Sequence, residues 1–159
     1  MTPAVNVAKK AGIKFKTHAY GHDPKHPSYG LEAAEKLGIP PERVFKTLVV
    51  ALDGRQLAVA VVPVSSQLDL KVFAKAVKVK KVTMADAKQV ERCTGYVLGG
   101  VSPLGQKRPL LTLIDRSAVD FPTLYVSAGR RGLEIELAAD DLSNLLNARF
   151  VEIAKHSGE

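Results

Sequence analysis

The sequence predicts a mixed α/β domain: a curved, mostly antiparallel, barrel-like sheet with helices around it. Three observations lead there. Strand patterns are joined by short turn signals, Asp53-Gly54 and Gly129-Arg130-Arg131-Gly132, so hairpins dominate. Helical patterns do not alternate regularly with strands, which disfavours a doubly wound parallel sheet. No repeat, low-complexity tract or linker interrupts the 159 residues, a length suited to one domain over 1–159.

The elements follow in order. Thr2 as N-cap, Pro3 at the first helical position, an apolar face of Ala4, Val7, Ala8 and Ala11, and Gly12 as stop define a short amphipathic helix. Ile13, Phe15, Thr17 and Ala19 alternate with polar neighbours as a strand ending near Tyr20. The prolines and glycine of GHDPKHPS make residues 21–28 a loop, and a second helix runs from about Tyr29 to Leu37, stopped by Gly38. After a helical turn at IPPERV, FKTLVVAL and QLAVAVVPV flank the Asp53-Gly54 turn and should form the centre of the sheet. Asp69 caps a helix to about Val77, Val79 to Thr83 reads as a short strand, and Asp86 caps a helix to about Cys93. LLTLID, TLYVSA and LEIEL read as strands. Asp140 is expected to cap a final helix, with ARFVEIA either its continuation or a closing strand.

Lys and Arg number 23 against 16 Asp and Glu, a formal charge of +7 and a pI near 9.6. That balance suits a polyanionic partner such as nucleic acid, though a solvated basic surface has the same composition. The cations gather at Lys78, Lys80 and Lys81, at Lys107 and Arg108, and at Arg130 and Arg131, all beside turns or strand ends. There they are candidates for a phosphate backbone. The lone Cys93 excludes an internal disulfide and fits a reducing cytoplasm. No signal core precedes the first helix and no apolar run approaches the ~20 residues of a membrane span, so a cytoplasmic protein is expected.

Residues 95–105, GYVLGGVSPLG, hold four glycines in eleven positions. Gln106, Lys107 and Arg108 follow where a phosphate-binding P-loop needs Lys and Ser or Thr, and the dinucleotide fingerprint is absent. Two readings remain: a turn-rich connection, or a wall whose peptide N–H groups face a phosphate or an oxyanion. Lys46 stands inside the apolar run VFKTLVVAL. Either its head snorkels to water, or it serves a partly desolvated site, sharing a strand face with Val44, Leu48 and Val50 while Thr47 points away. Ser127 and Glu134 can meet across the 129–132 turn, with Glu136 on the same polar face as Glu134. His22 and His26 flank Asp23 in HDPKH, but the prolines forbid the helix that usually presents such a pair to a metal, so no metal is expected.

The FKTL strand, QLDLK at Gln67–Lys71, TGYVLGGVSPLG at Thr94–Gly105 and YVSAGRRGLEIEL at Tyr125–Leu137 together resemble the YbaK/EbsC family, with the likeness running from MTPAV to the C-terminal region. Free-standing bacterial members of that family clear cysteine mischarged on proline tRNA and are related to the editing domain inserted in prolyl-tRNA synthetase. The resemblance implies an aminoacyl-tRNA deacylase with no cofactor, no metal and no protein nucleophile, in which the substrate thiol attacks its own ester. The implied partners are Cys-tRNA(Pro), with Cys-tRNA(Cys) and prolyl-tRNA synthetase as further candidates, and neither DNA nor a membrane. By position, Lys46, Gly99, Ser127 and Glu134 take the catalytic roles. Tyr20, Tyr29 and Thr47 shape the pocket, with Gly100, Val101, Ser102 and Gly129 beside the substrate. Two departures stand out: relatives often carry aspartate at Glu134 and phenylalanine at Tyr29. The alternatives are water-mediated hydrolysis of Ala-tRNA(Pro) or another mischarged tRNA, and a non-catalytic module binding tRNA or synthetase.

Overall fold

The computed structural model describes residues 1–156, so the last three positions of the predicted domain lie outside the described residues. Local signals set most element ends. Helix α1 (Pro3–Ala11) starts where Thr2 Oγ1 accepts the Val5 N–H at 3.3 Å, and buries Ala4, Val5 and Ala8. Strand β1 (Phe15–Ala19) and helix α2 (Tyr29–Leu37) follow, the latter capped by Ser28. A 3-10 turn at Pro41–Arg43 leads into β2 (Phe45–Leu52), which pairs with β3 (Gln56–Pro63) across a three-residue turn. Next come β4 (Ser66–Leu68), α3 (Leu70–Ala76), β5 (Val82–Met84) and α4 (Ala87–Thr94). Asp69 caps α3, while Asp86 and Gln89 form a reciprocal capping box on α4. The glycine segment then leads to β6 (Leu111–Asp115), β7 (Leu124–Arg130), β8 (Leu133–Leu137), α5 (Ala139–Leu146), β9 (Arg149–Val151) and β10 (Ala154–His156).

Three expectations need correction. Asp140 does not cap α5: Ala138 holds that position without a side-chain bond, and Asp140 and Asp141 lie in the first turn, where their charges complement the helix dipole. The strand expected from Val79 starts at Val82, because the preceding backbone wraps around Asp53, whose Oδ1 accepts the Lys80 and Lys81 N–H groups at 3.1 and 2.8 Å. The strands do not close into a barrel. They form a five-stranded sheet, β5-β2-β3-β6-β9, a three-stranded sheet, β1-β8-β7, and the pair β10-β4. Pairing is mostly antiparallel; among the described strands the β3–β6 and β6–β9 ladders are parallel. ARFVEIA supplies strands, with Asp115 Oδ1 accepting the Ile153 and Ala154 N–H groups at 3.0 and 2.9 Å to hold the chain's return.

The central β3 is apolar on both faces because both are covered. Val59 and Val61 join Phe45, Leu124, Val126 and Ile135 between the two larger sheets, whereas Ala58, Ala60 and Val62 pack with Phe73, Leu113 and Ile153 on the other side. Each fully buried Val, Leu, Ile or Phe contributes about 1.5–3 kcal/mol. The larger sheets touch at an isolated parallel bridge, Val44 with Tyr125. Beyond it no β2–β7 ladder continues, and the seam opens into a cavity.

Candidate active site

That cavity, about 380 Å³, has four walls. β2 contributes Phe45, Lys46, Thr47 and Leu48. β5 pairs with β2 only at Val50–Leu52, so the edge of β2 is bare here and both faces of the strand reach the cavity, Thr47 as well as Lys46. Ser127 of β7 and Glu134 of β8 are register partners on the opposite wall, with Tyr20, whose N–H donates to Gly132 O at 2.9 Å, beside them. Leu98, Gly99 and Val101 form the third wall, and Pro27 to Gly30 the fourth.

The polar groups are poorly satisfied by one another. Lys46 has no ion pair among the described residues, and burial lowers its pKa. Glu134 is 6% exposed, its carboxyl has no hydrogen bond among the described residues, and burial pushes its pKa up to about 8. Thr47 Oγ1 is buried without a partner. Ser127 Oγ accepts the Gly129 N–H at 3.1 Å, which leaves its own proton to donate. The Tyr20 hydroxyl is raised to about 12, by burial first and by the Glu134 charge second. A cation, a carboxyl and hydroxyls facing one concavity unpaired are groups that a bound ligand would satisfy.

Glu136, on the same strand face as Glu134, has a different fate. It accepts hydrogen bonds from Thr123 Oγ1 at 2.5 Å and the His18 ring at 2.9 Å, and lies 3.5 Å from the Arg43 guanidinium. Burial acts to raise its pKa, but these bonds prevail and lower it. Glu136 therefore ties β8 to its neighbours, and Glu134 alone faces the cavity.

The glycine segment is strapped to the β7–β8 turn. Arg131 donates from Nε and Nη2 to Leu98 O at 3.1 and 2.7 Å, while its guanidinium lies 4.5 Å from the centre of the Tyr29 ring. Gly99 has φ +86°, and a Cβ there would stand 2.6 Å from Arg131 Nε and 2.8 Å from Tyr29 Cε2. Gly100, Ser102 and Gly129 stay outside the lining. The Gly100 N–H donates to Val97 O at 2.9 Å and its Cα backs onto Arg130, Ser102 is fully buried and accepts the Leu104 N–H at 3.2 Å, and Gly129 backs onto the Tyr96 ring.

The cation clusters do not rim this one cavity. Arg131 adjoins it through Leu98 and Tyr29, Arg130 backs onto Gly100 outside the lining, and the Lys107 and Arg108 N–H groups donate to Thr94 O and Cys93 O at the end of α4. Lys78, Lys80 and Lys81 lie by the β2–β3 turn. That turn is six residues along β2 from Lys46, about 20 Å at ~3.3 Å per residue.

Sequence reasoning missed the wall's anchor, Glu32. Fully buried on α2, it meets the His22 ring at 2.7 Å, the Asp23 N–H at 2.8 Å and the Lys36 ammonium at 3.2 Å. Burial alone would raise its pKa, but these partners bring it down to about 2. The contacts fold residues 21–28 back onto α2 and set Pro27 and Ser28 against the cavity. His26 serves the same loop, meeting Glu35 at 3.2 Å and accepting the Ser28 N–H at 3.1 Å. An acid beside Ala33 and Ala34 on the inward face of a short helix was the available signal. No helix is long and apolar enough to cross a membrane among the described residues.

The Glu134 geometry makes a pH prediction. Its folded pKa of about 8 exceeds its ordinary 4.5, so between those values the folded state binds more protons than the unfolded chain. Its contribution to stability is complete below 4.5 and is lost as pH rises to about 8. Glu134→Gln removes that loss. Thermal melts should show the variant several degrees more stable than the parent above pH 8, with the gap closing below pH 4.5; a pH-independent gap would remove burial as the cause.

Residues 26–145 match the family model of the aminoacyl-tRNA editing domain. The chain is 39% identical over 152 residues to EbsC of Enterococcus faecalis, named as a candidate Cys-tRNA(Pro)/Cys-tRNA(Cys) deacylase, covering 96% of this chain and 92% of that protein. It is 30% identical over 125 residues to YwhH of Bacillus subtilis, covering 78% and 79%. Among solved structures, a candidate trans-editing enzyme for prolyl-tRNA synthetase superposes with a TM-score of 0.84 at 20% identity, covering 98% of this chain and 99% of that one. The hypothetical protein APE2540 gives 0.85 at 23% identity, covering 96% and 99%. At these identities the two structures establish the shared fold.

Proposed function

Because this chain belongs to the family of aminoacyl-tRNA editing domains, we propose that it removes cysteine mischarged onto proline tRNA. The cavity supports this reading through one feature above the rest: the ammonium of Lys46 and the carboxyl of Glu134 face the same space without pairing with each other. An aminoacyl ester offers complements to both, a carbonyl oxygen that gains negative charge during acyl transfer and an α-ammonium. Lys46 holds the carbonyl oxygen, Glu134 with Ser127 orients the amine or the ribose, and Gly99 and Val101 border the reacting centre. Tyr20, Tyr29 and Thr47 shape the space, which falls within the ~300–1,000 Å³ of ordinary ligand pockets.

No described histidine lines the cavity to activate Ser127, so the reading assigns the nucleophile to the substrate. The cysteine thiol attacks its own ester carbonyl. A carbon–sulfur bond forms, the ester carbon–oxygen bond breaks, the thiol proton ends on the ribose oxygen, and the strained cyclic thioester then takes up water to give free cysteine. Intramolecular attack carries a high effective molarity, so the protein's task is to hold the conformer and stabilise the oxyanion. Because the sulfur does the work, Cys-tRNA(Cys) is a substrate of the same pocket.

The test is deacylation of tRNA(Pro) carrying cysteine, serine or alanine. Cysteine is expected to react at least about 1,000-fold faster than the other two, beyond the roughly 10–200-fold that fit alone supplies for so small a change. Comparable rates on alanine would replace the thiol route by attack of water, and no reaction on any of the three would leave a binding module.

A further inference from the structure

We infer that the far end of the five-stranded sheet carries a second RNA surface, a groove that holds the phosphates of the duplex stem of the tRNA whose 3′ end enters the cavity. The inference rests on the proposed deacylase reading for the identity of the RNA, but on separate residues. Two hollows meet at the β2–β3 turn and share Leu52, Gln56 and Val79. Five exposed cations edge them, Arg55, Lys78, Lys80, Lys81 and Arg149, against one carboxylate, Asp53, whose Oδ1 is already engaged by the backbone of Lys80 and Lys81. None of the five forms an ion pair among the described residues, whose ion pairs involve only His18, His22, His26, Lys36 and Arg43 as cations. Like charges gathered without counter-ions favour a polyanion, and phosphate contacts need no base reading.

Backbone conformation adds an independent observation. Helix α3 closes with the Val79 N–H donating to Ala74 O at 3.0 Å, which places Lys78 where a glycine usually ends such a helix, at φ +59°. A lysine is strained there, and it stands in the groove wall where a glycine would relieve the backbone. The stretch from Leu98 to Leu110, the glycine segment and the residues after it, also joins the two sites. It borders the cavity at Leu98 and Gly99, carries Lys107 and Arg108, and enters the groove wall at Pro109 and Leu110. A-form RNA is recognised mainly through backbone and shape, so this surface selects a stem by its position relative to the 3′ end.

The experiment compares parent, Lys78→Gly and Lys80→Gln/Lys81→Gln, measuring the affinity of an acceptor-stem RNA hairpin with a single-stranded CCA end, and of that single strand alone, over a range of salt. The hairpin should bind at least tenfold more weakly to the combined triple variant, with its log–log salt slope reduced by roughly 0.9 per lost phosphate contact, while the single strand binds all forms alike. Lys78→Gly relieves the positive φ, so its melting temperature should match or exceed the parent's, which separates lost binding from lost folding. Equal hairpin affinity in every form overturns the inference, as does equal loss for hairpin and single strand. Retained hairpin binding with lost binding to prolyl-tRNA synthetase would also overturn it and give the groove to a protein. Failure of the deacylase reading looks different: no ester cleavage by the parent, yet groove-dependent hairpin binding.

Discussion

Lys46→Ala should lose about 10²–10³-fold in single-turnover cleavage of Cys-tRNA(Pro) while melting at or above the parent's temperature. The rate effect follows from where the cation sits. An ammonium held beside a developing oxyanion, away from bulk water, acts through a lower effective dielectric than a surface lysine, and losing one such oxyanion contact typically costs that factor. The stability effect follows from what it lacks. No carboxylate among the described residues pairs with Lys46 and burial lowers its pKa, so the folded protein gains little from the charge that alanine removes. Lys46→Arg keeps the charge but spreads it over a planar fork in a cavity of about 380 Å³, and should recover only part of the rate. Wild-type cleavage by the alanine variant would take the lysine out of the chemistry.

Gly99→Ala should reduce activity by a similar order with only modest loss of stability. A methyl group at φ +86° costs about 1–2 kcal/mol in backbone strain. It also intrudes between Arg131 Nε and the Tyr29 ring, at 2.6 and 2.8 Å. To admit it, the guanidinium must release Leu98 O or leave the ring, and the wall formed by Leu98 and Gly99 shifts with it. Gly12→Ala supplies the control. Gly12 has φ +70° with nothing within 4 Å of a new Cβ, so it should show the backbone strain without the loss of cleavage. Equal activities for the two variants would make Gly99 a turn residue and no more.

Most helix ends were legible because their causes are local, although Asp140 lies inside the first turn of α5 rather than at its cap. Thr2 and Asp86 bond to amides three residues away, and α2 occurs over Tyr29–Leu37, where the pattern places it. The partition into three sheets was not legible, because β4 finds its partner only when β10 returns at the end of the chain, and a bare stretch of β2 is a fact about β5. Lys46 stood out as a charge in an apolar run. Glu134 and Glu136 could not be told apart in sequence, since Thr123, His18 and Arg43, which engage only the second, arrive from three other segments. Glu32 was not legible because its partners His22 and Asp23 come from the loop 21–28 folding over it. The YbaK/EbsC resemblance brought Lys46, Gly99, Ser127 and Glu134 onto one page before any of these contacts was visible, and the family match agrees with it.

The cavity lies where two sheets part after one backbone bridge, Val44 with Tyr125, so its width is set by how far the hydrophobic filling holds those sheets asunder. Phe45, Leu124 and Val126 are spacers as much as they are core. A change of one methylene at Leu124 or Val126, which stay outside the cavity lining, would tune the gap between Lys46 and Ser127 without touching the substrate, which gives evolution a dial for amino-acid preference hidden inside the protein.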